Sequence, residues 1–182
     1  MRLYVVRHGV AEAEARSGGD AARRLTPAGR AKVRKIARGL RRLRVTADVV
    51  FTSPLPRAAE TAALLAAEHD GLPAPVELPA LATGSAPSTM LRALVRQGRR
   101  GDLMIVGHEP GLSQLVAVLL TGSPDGMAIE LKKGGVVALS LDRLAARRAT
   151  LLWASTPRAL RRLGRGRVSE VRRRPAPGRP AN

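Results

Sequence analysis

The stretch LYVVRHG, residues 3–9, decides how the rest of the chain is interpreted. Its first four residues form a short apolar run that predicts a buried strand. Arg7 and His8 follow where this strand ends, and Gly9 comes directly after them. A charged arginine beside a titratable histidine is a poor way to build a core, because ionisable groups are rarely buried without a partner. The pair therefore predicts a functional site at the end of the first strand.

Strand-like and helix-like segments alternate along the rest of the chain. Further strand-like runs lie at residues 49–52, 103–106, 136–141 and 150–153, with a short candidate near 76–78. Helical patterns cover residues 27–43, 56–68, 88–97 and 111–120, the first opened by the N-cap signal Thr26-Pro27. The alternation predicts an α/β fold of three layers, in which helices flank a mostly parallel sheet. The last two strands follow one another closely enough to form an antiparallel edge pair.

Two further polar turns end predicted strands. Residues 52–57, TSPLPR, follow the second strand, and residues 107–111, GHEPG, follow the strand at 103–106. In open α/β sheets, binding sites form beyond the carboxyl ends of the strands. We therefore expect the basic residues of the three turns to lie in one site, and these residues are Arg7, His8, Arg57 and His108.

These turns resemble the motifs of the histidine phosphatase superfamily, the phosphoglycerate-mutase-like proteins. Residues 7–9 are similar to its nucleophile motif, residues 52–62 to its second-arginine motif, and residues 106–110 to its second-histidine motif. The stretch LTPAG at residues 25–29 is similar to a helix start of the family. Order and spacing agree over about residues 1–155, and the short chain and the stretch 78–84 resemble the small SixA-type phosphohistidine phosphatases.

The resemblance implies a hydrolase in which His8 is the nucleophile and Arg7, Arg57 and His108 complete the catalytic group. It also implies that Arg7, Arg57 and His108 bind the phosphoryl group. Physical chemistry agrees, since a neutral imidazole is a good nucleophile. Nearby arginines lower the pKa of a histidine because like charges disfavour its protonated form. Arginine also presents a fixed fork of donors to phosphoryl oxygens.

Gly9 and Arg23 complete the predicted substrate contacts. Gly9 is expected to let the backbone turn sharply and approach the anion, and Arg23 to reach the phosphoryl group from its loop. His108, if protonated, adds a further cationic donor. No metal or other cofactor is expected, because the three histidines lack metal-ligand spacing and no carboxylate cluster accompanies them.

The acidic proton donor of many superfamily members has no counterpart at the expected place. The resemblance puts it between Arg57 and His108, yet no carboxylate follows the turn at residues 81–84. Phosphohistidine does not need such an acid, because its leaving imidazole has a conjugate-acid pKa of about 6.5. We therefore predict a protein phosphohistidine phosphatase that acts on phosphorelay domains through a covalent phospho-His8 intermediate.

Two other functions stay open. One is a small phosphomonoesterase acting on a low-molecular-weight phosphate, for which Glu109 would be a substitute acid. The other is binding of a polyanion, because 32 Lys and Arg against 14 Asp and Glu give a net charge of +18. With one Trp, one Tyr and one Phe, the chain has little to stack on bases. The expected partner is thus a phosphohistidine-bearing protein or a small phosphorylated substrate, not nucleic acid.

The domain organisation is predicted to be simple. Residues 1–160 form one histidine phosphatase domain, and residues 161–182, with eight arginines and one glutamate and no periodicity, form a disordered basic tail. No apolar run approaches the roughly 18 residues that a membrane span needs, and the N-terminus does not resemble a signal peptide. We expect a cytoplasmic monomer with no membrane partner.

Overall fold

The computed structural model describes residues 1–15, 17–98 and 101–165. These residues form one six-stranded sheet with helices on both faces. The strands are β1 (Arg2–Arg7), β2 (Val49–Thr52), β3 (Val76–Glu77), β4 (Leu103–Gly107), β5 (Val136–Leu141) and β6 (Ala149–Ser155). The helices are α1 (Pro27–Arg42), α2 (Pro56–Ala67), α3 (Pro87–Arg96), α4 (Gly111–Thr121) and α5 (Pro157–Leu163). Two 3₁₀ turns cover Asp20–Ala22 and Pro79–Leu81.

The sheet is mostly parallel, as predicted. Its strand order is β3-β2-β4-β1-β5-β6, and the pairs β2–β3, β2–β4 and β1–β4 are parallel. β5 and β6 form the antiparallel edge pair, with β5 also antiparallel to β1. The order puts β4 between β1 and β2, so the carboxyl ends of these three strands lie side by side.

Alternating strand residues divide the core into two apolar layers. Tyr4 and Val6 of β1 pack with residues of α1, α2 and α5 on one face. Leu3 and Val5 of the same strand pack with residues of α3 and α4 on the other face. The central strands are therefore buried on both faces and have continuous apolar sequences. This arrangement confirms the predicted three layers.

The start of α1 confirms its N-cap signal. The Thr26 hydroxyl accepts from the Gly29 N–H at 2.9 Å, and Pro27 occupies the first helical position. Gly29 has no room for a side chain, because a Cβ there would lie 2.1 Å from the Val10 carbonyl oxygen. The cap and the glycine hold the start of α1 against the loop that follows β1.

Helix α5 was not predicted, although it repeats the signal that opens α1. Thr156 precedes Pro157, and its hydroxyl accepts from the Ala159 N–H at 3.3 Å. Leu160 is fully buried, and its carbonyl lies where a Cβ on Gly39 of α1 would be. The predicted domain boundary at residue 160 falls inside this helix, because arginine-rich composition hid its short apolar face. The predicted tail from residue 166 onward lies outside the described residues.

The described helices are all short or amphipathic. Among them, none combines the length and the apolar character that crossing a bilayer requires.

Candidate active site

Strand register brings the two predicted site histidines together. β1 runs beside β4 with Arg7 opposite Gly107, so the next residue of each strand is a histidine. The His8 N–H donates to the Gly107 carbonyl at 3.1 Å, and the ring centroids of His8 and His108 lie 5.1 Å apart. β2 lies on the other side of β4, and it leads directly into the first turn of α2, which carries Arg57. The four predicted catalytic residues thus converge on one edge of the sheet.

The His8 ring is buried and has one nitrogen committed. Its Nδ1 lies 2.7 Å from the Gly9 carbonyl oxygen. Because a carbonyl only accepts, Nδ1 must carry the proton, and Nε2 keeps its lone pair. Burial lowers the pKa of His8 to about 3, with smaller contributions from His108 and the arginines. Burial, rather than the adjacent arginine, is therefore the main reason that the imidazole is neutral.

The predicted role of Gly9 needs correction. Its N–H donates to the Thr61 hydroxyl at 3.0 Å, so this amide is not available to an anion. A Cβ at Gly9 would lie 2.7 Å from a Val33 methyl group. Gly9 therefore allows the loop to pack closely against α1 and α2, and its amide is committed to Thr61 rather than to an anion.

The site arginines have unused donors. The Nε atoms of Arg7, Arg23 and Arg57 are buried and have no hydrogen-bond partner. Arg7 uses one N–H on the Leu131 carbonyl at 2.9 Å. A buried donor without a partner costs about 1–3 kcal/mol, so these groups favour any anion that satisfies them. Each of the three guanidinium groups therefore has a donor that no described residue uses.

His108 is held by Ser53. Its Nε2 lies 2.8 Å from the Ser53 hydroxyl oxygen, which also accepts from the Leu55 N–H at 3.2 Å. The Ser53 hydroxyl can therefore donate its own proton to His108 Nε2. This hydrogen bond favours the tautomer of His108 that carries its proton on Nδ1, and Nδ1 is buried without a partner. Burial lowers the pKa of His108 to about 4. His108 is therefore a neutral donor at neutral pH, so the condition under which it would add a cationic donor is not met.

Asp20 belongs to the site and was missed from the sequence. Its Oδ1 lies 2.5 Å from an Arg23 nitrogen, and its Oδ2 accepts from Arg57 at 2.9 Å. The hydrogen bond from Arg23 and the charge of Arg57 lower the pKa of Asp20. The signal that was available is the spacing of three residues between Asp20 and Arg23.

Glu109 has its carboxyl group turned to a second network. The Ser113 hydroxyl lies within hydrogen-bond distance of both Glu109 Oε2 and the Ile129 carbonyl. The hydroxyl donates to Oε2, and this hydrogen bond lowers the pKa of Glu109, whereas burial, the larger influence, raises it. Oε1 is buried without a partner.

No metal site is present among the described residues. In residues 1–15, 17–98 and 101–165, no three His, Asp or Glu side chains are grouped so that they could hold a metal ion. Metal independence stays a prediction.

The two site histidines should titrate far below neutral pH. A base with a lowered pKa stays neutral at every pH above the lowered value, here about 3 for His8 and about 4 for His108. An unperturbed histidine of pKa about 6.5 would be only about 3% neutral at pH 5. We therefore expect NMR titration of the imidazole groups to show both rings neutral at pH 5. A midpoint near 6.5 for His8 would contradict the buried neutral site.

The same NMR titration can be repeated with inorganic phosphate bound, to test whether an anion changes the pKa of His108. A bound anion favours the protonated form of a nearby imidazole. Saturation with inorganic phosphate should therefore raise the pKa of His108, with no such shift for His69, which bonds the Gly71 N–H away from the site.

The carboxyl edge of this α/β sheet carries two neutral histidines among three arginines with unpartnered donors. This combination defines the class of protein as one that acts on phosphoryl groups. Comparison with known proteins then identifies the family. The family model of the histidine phosphatase superfamily (branch 1) matches residues 3–82. A protein of Picosynechococcus sp., itself uncharacterised, is 35% identical over 141 residues, which cover 76% of this chain and 84% of that protein. The chain belongs to the histidine phosphatase superfamily, and it is a phosphatase.

Solved structures show the same fold. The protein histidine phosphatase SixA, solved with tungstate, has a TM-score of 0.75 at 26% identity, covering 88% of this chain and 99% of that chain. A protein described as an α-ribazole-5′-P phosphatase from Escherichia coli has a TM-score of 0.65 at 20% identity, covering 86% and 97%. A phosphoserine phosphatase from Entamoeba histolytica has a TM-score of 0.64 at 15% identity, covering 87% and 98%. Because the fold serves several substrates, the substrate must be argued from the site.

Proposed function

We propose that this phosphatase removes phosphoryl groups from phosphohistidine in proteins, such as the phosphotransfer domains of signalling relays. His8 Nε2 attacks phosphorus as the bond from phosphorus to the substrate imidazole breaks. Arg7 and Arg57 bind the phosphoryl oxygens, and His108 donates a hydrogen bond to them. Water then hydrolyses phospho-His8 and restores the free nucleophile.

The observation that carries the proposal is that neither Asp20 nor Glu109 is placed as a usable acid. Asp20 is ion-paired with Arg23 and Arg57, which lower its pKa and keep it ionised. Glu109 Oε2 accepts from the Ser113 hydroxyl, and Oε1 is buried without a partner among the described residues. Neither of these two carboxyl groups is therefore positioned to protonate a leaving group.

The basicity of the leaving group decides which substrates can react without a general acid. Water, a stand-in for an alcohol, has a pKa of about 15.7, against about 6.5 for imidazole. The difference of roughly nine units corresponds to about 12 kcal/mol at 1.36 kcal/mol per unit. If a loose transition state expresses about a third of this free-energy difference, the effect on the rate is about as large as the 10²–10⁴-fold benefit of a general acid. The substrate imidazole leaves as a neutral base when solvent protonates its distant nitrogen, so phosphohistidine needs no such acid.

The test compares two peptides of one sequence that carry either phosphohistidine or phosphoserine. We expect kcat/KM to favour phosphohistidine by about 10²–10⁴-fold, because only the serine alkoxide needs an acid. Small phosphoramidate, assayed in parallel, distinguishes a protein substrate from a small one. Equal rates on the two peptides would contradict the proposal and favour the phosphomonoesterase alternative.

Glu109→Gln is the matched control for the same assay. The substitution keeps the size of the side chain and removes the acid. We expect it to leave the preference for phosphohistidine over phosphoserine unchanged, whereas a selective loss of activity on phosphoserine would identify Glu109 as the missing acid.

Polyanion binding stays a prediction. The described residues that fit it best form an arginine cluster on and after α5, made of Arg158, Arg161, Arg162 and Arg165.

A further inference from the structure

One residue joins two of the site arginines. Asp20 Oδ1 lies 2.5 Å from an Arg23 nitrogen, and Asp20 Oδ2 accepts from Arg57 Nη2 at 2.9 Å. The Asp20 carbonyl also accepts from Arg57 Nη1 at 2.7 Å. Arg23 lies at the end of the 3₁₀ turn and Arg57 at the start of α2, so this bridge connects separate elements.

The bridge reduces the electrostatic repulsion between two arginines of the site. Two guanidinium groups held close together repel, and Arg57 has only 3% of its side chain exposed to solvent. Asp20 is the one carboxylate that forms an ion pair with Arg7, Arg23 or Arg57 within the described residues. Its own side chain is 63% exposed. The carboxylate therefore lies on the solvent side of the arginines.

Counting donors shows that the bridge does not exhaust Arg57. A guanidinium has five N–H groups. Asp20 takes two of those on Arg57 and the Thr83 hydroxyl, at 3.3 Å, takes a third. Nε–H and one Nη1–H remain, and Nε is buried without a partner. Asp20 thus fixes the Nη groups of Arg57 and leaves two of its five N–H groups without a partner among the described residues.

We infer that Asp20 is a positioning residue that holds Arg57 and Arg23 as a bridged pair, in the orientation in which they bind the phosphoryl group. The inference deepens the proposed function and rests only on phosphoryl transfer at His8, not on the identity of the substrate. The hydrogen bonds and ion pairs of Asp20 go to the two arginines and not to His8. Its main effect on the reaction therefore passes through Arg57 and Arg23, with a smaller effect of its charge on the pKa of His108.

Two consequences of removing the carboxylate run in opposite directions. Arg57 and Arg23 lose their alignment, and a misplacement of about 1 Å costs about 10²-fold in rate. At the same time the site loses a negative charge, so a phosphate anion is repelled less. A positioning role therefore predicts a lower kcat without weaker phosphate binding. A purely structural role would lower both together with stability.

Asp20→Asn is the variant that tests this. Asparagine has nearly the same shape and keeps the backbone carbonyl contact to Arg57, but it carries no charge. With p-nitrophenyl phosphate as substrate, we expect kcat to fall about 10–100-fold. Calorimetry with inorganic phosphate should give an affinity equal to or tighter than that of the unmodified protein. Asp20→Glu, which restores the charge, should recover part of kcat.

Asp70→Asn is the control, because Asp70 is an exposed partner of Arg41 on the far part of α1. It should change neither kcat nor phosphate affinity. An unchanged kcat in Asp20→Asn would overturn the inference, and so would a joint loss of kcat, phosphate affinity and melting temperature. The substrate is an aryl phosphate and phosphate binding is measured directly. The outcome for Asp20→Asn can therefore be interpreted even if the phosphohistidine proposal fails.

Discussion

His8→Ala should abolish turnover and leave no phosphoenzyme. His8 Nε2 carries a lone pair with no hydrogen-bond partner among the described residues, and its ring is fixed by the 2.7 Å contact between Nδ1 and the Gly9 carbonyl. The corresponding lone pair of His108 is committed to the Ser53 hydroxyl. Removing the nucleophile of an enzyme that forms a covalent intermediate costs roughly 10⁶-fold in kcat. We expect a loss of that order on phosphohistidine and aryl phosphates alike.

Rapid quenching with a radiolabelled phosphate donor provides the second measurement. The unmodified protein should trap label as an acid-labile, base-stable phosphohistidine, and His8→Ala should trap none. His69→Gln is the control, since His69 is also buried and bonds the Gly71 N–H outside the site. Near-normal turnover by His8→Ala, or label trapped on His108 instead, would mean that the nucleophile is misassigned.

The architecture was predictable because its signals are local. The apolar strands at residues 3–6, 49–52 and 103–106 are buried on both faces, so their sequences are continuous apolar runs bounded by polar turns. The Thr26-Pro27 signal likewise reported a cap that the structure contains. Helix α5 was missed because three of its seven positions are arginines, and its one fully buried residue, Leu160, gives no periodicity.

The site was predictable only in part, because some of its properties arise from packing. The convergence of His8 and His108 follows from the ends of two strands, which a sequence shows. The neutral state of His108 follows from its burial, and the use of the Gly9 amide follows from Thr61 of α2. Asp20 lies in a loop and meets Arg57 across 37 positions of sequence, a distance at which no local pattern operates.

Arg57→Ala should show the second largest effect. Arg57 lowers the pKa of both site histidines, and its buried Nε–H has no partner among the described residues. An arginine that stabilises the charge of a transferring phosphoryl group contributes about 10³–10⁵-fold to kcat. We expect a loss in that range, measured as kcat and KM on p-nitrophenyl phosphate and on a phosphohistidine peptide. Arg34→Ala, which removes an α1 arginine paired with Glu68, should have no effect.

Arg57→Lys separates charge from shape. A lysine restores the positive charge, but its ammonium has three donors at one point. Arg57 meets Asp20 and Thr83 through three of its five N–H groups and keeps two for other partners. A lysine that bonds Asp20 has fewer donors left for the phosphoryl oxygens, so we expect Arg57→Lys to recover only a small part of kcat. The pKa of His8 should stay low in Arg57→Lys and rise somewhat in Arg57→Ala, since charge alone sets that contribution. A lysine variant with normal kcat would show that a point charge suffices, and the bridged geometry would then have no part in catalysis.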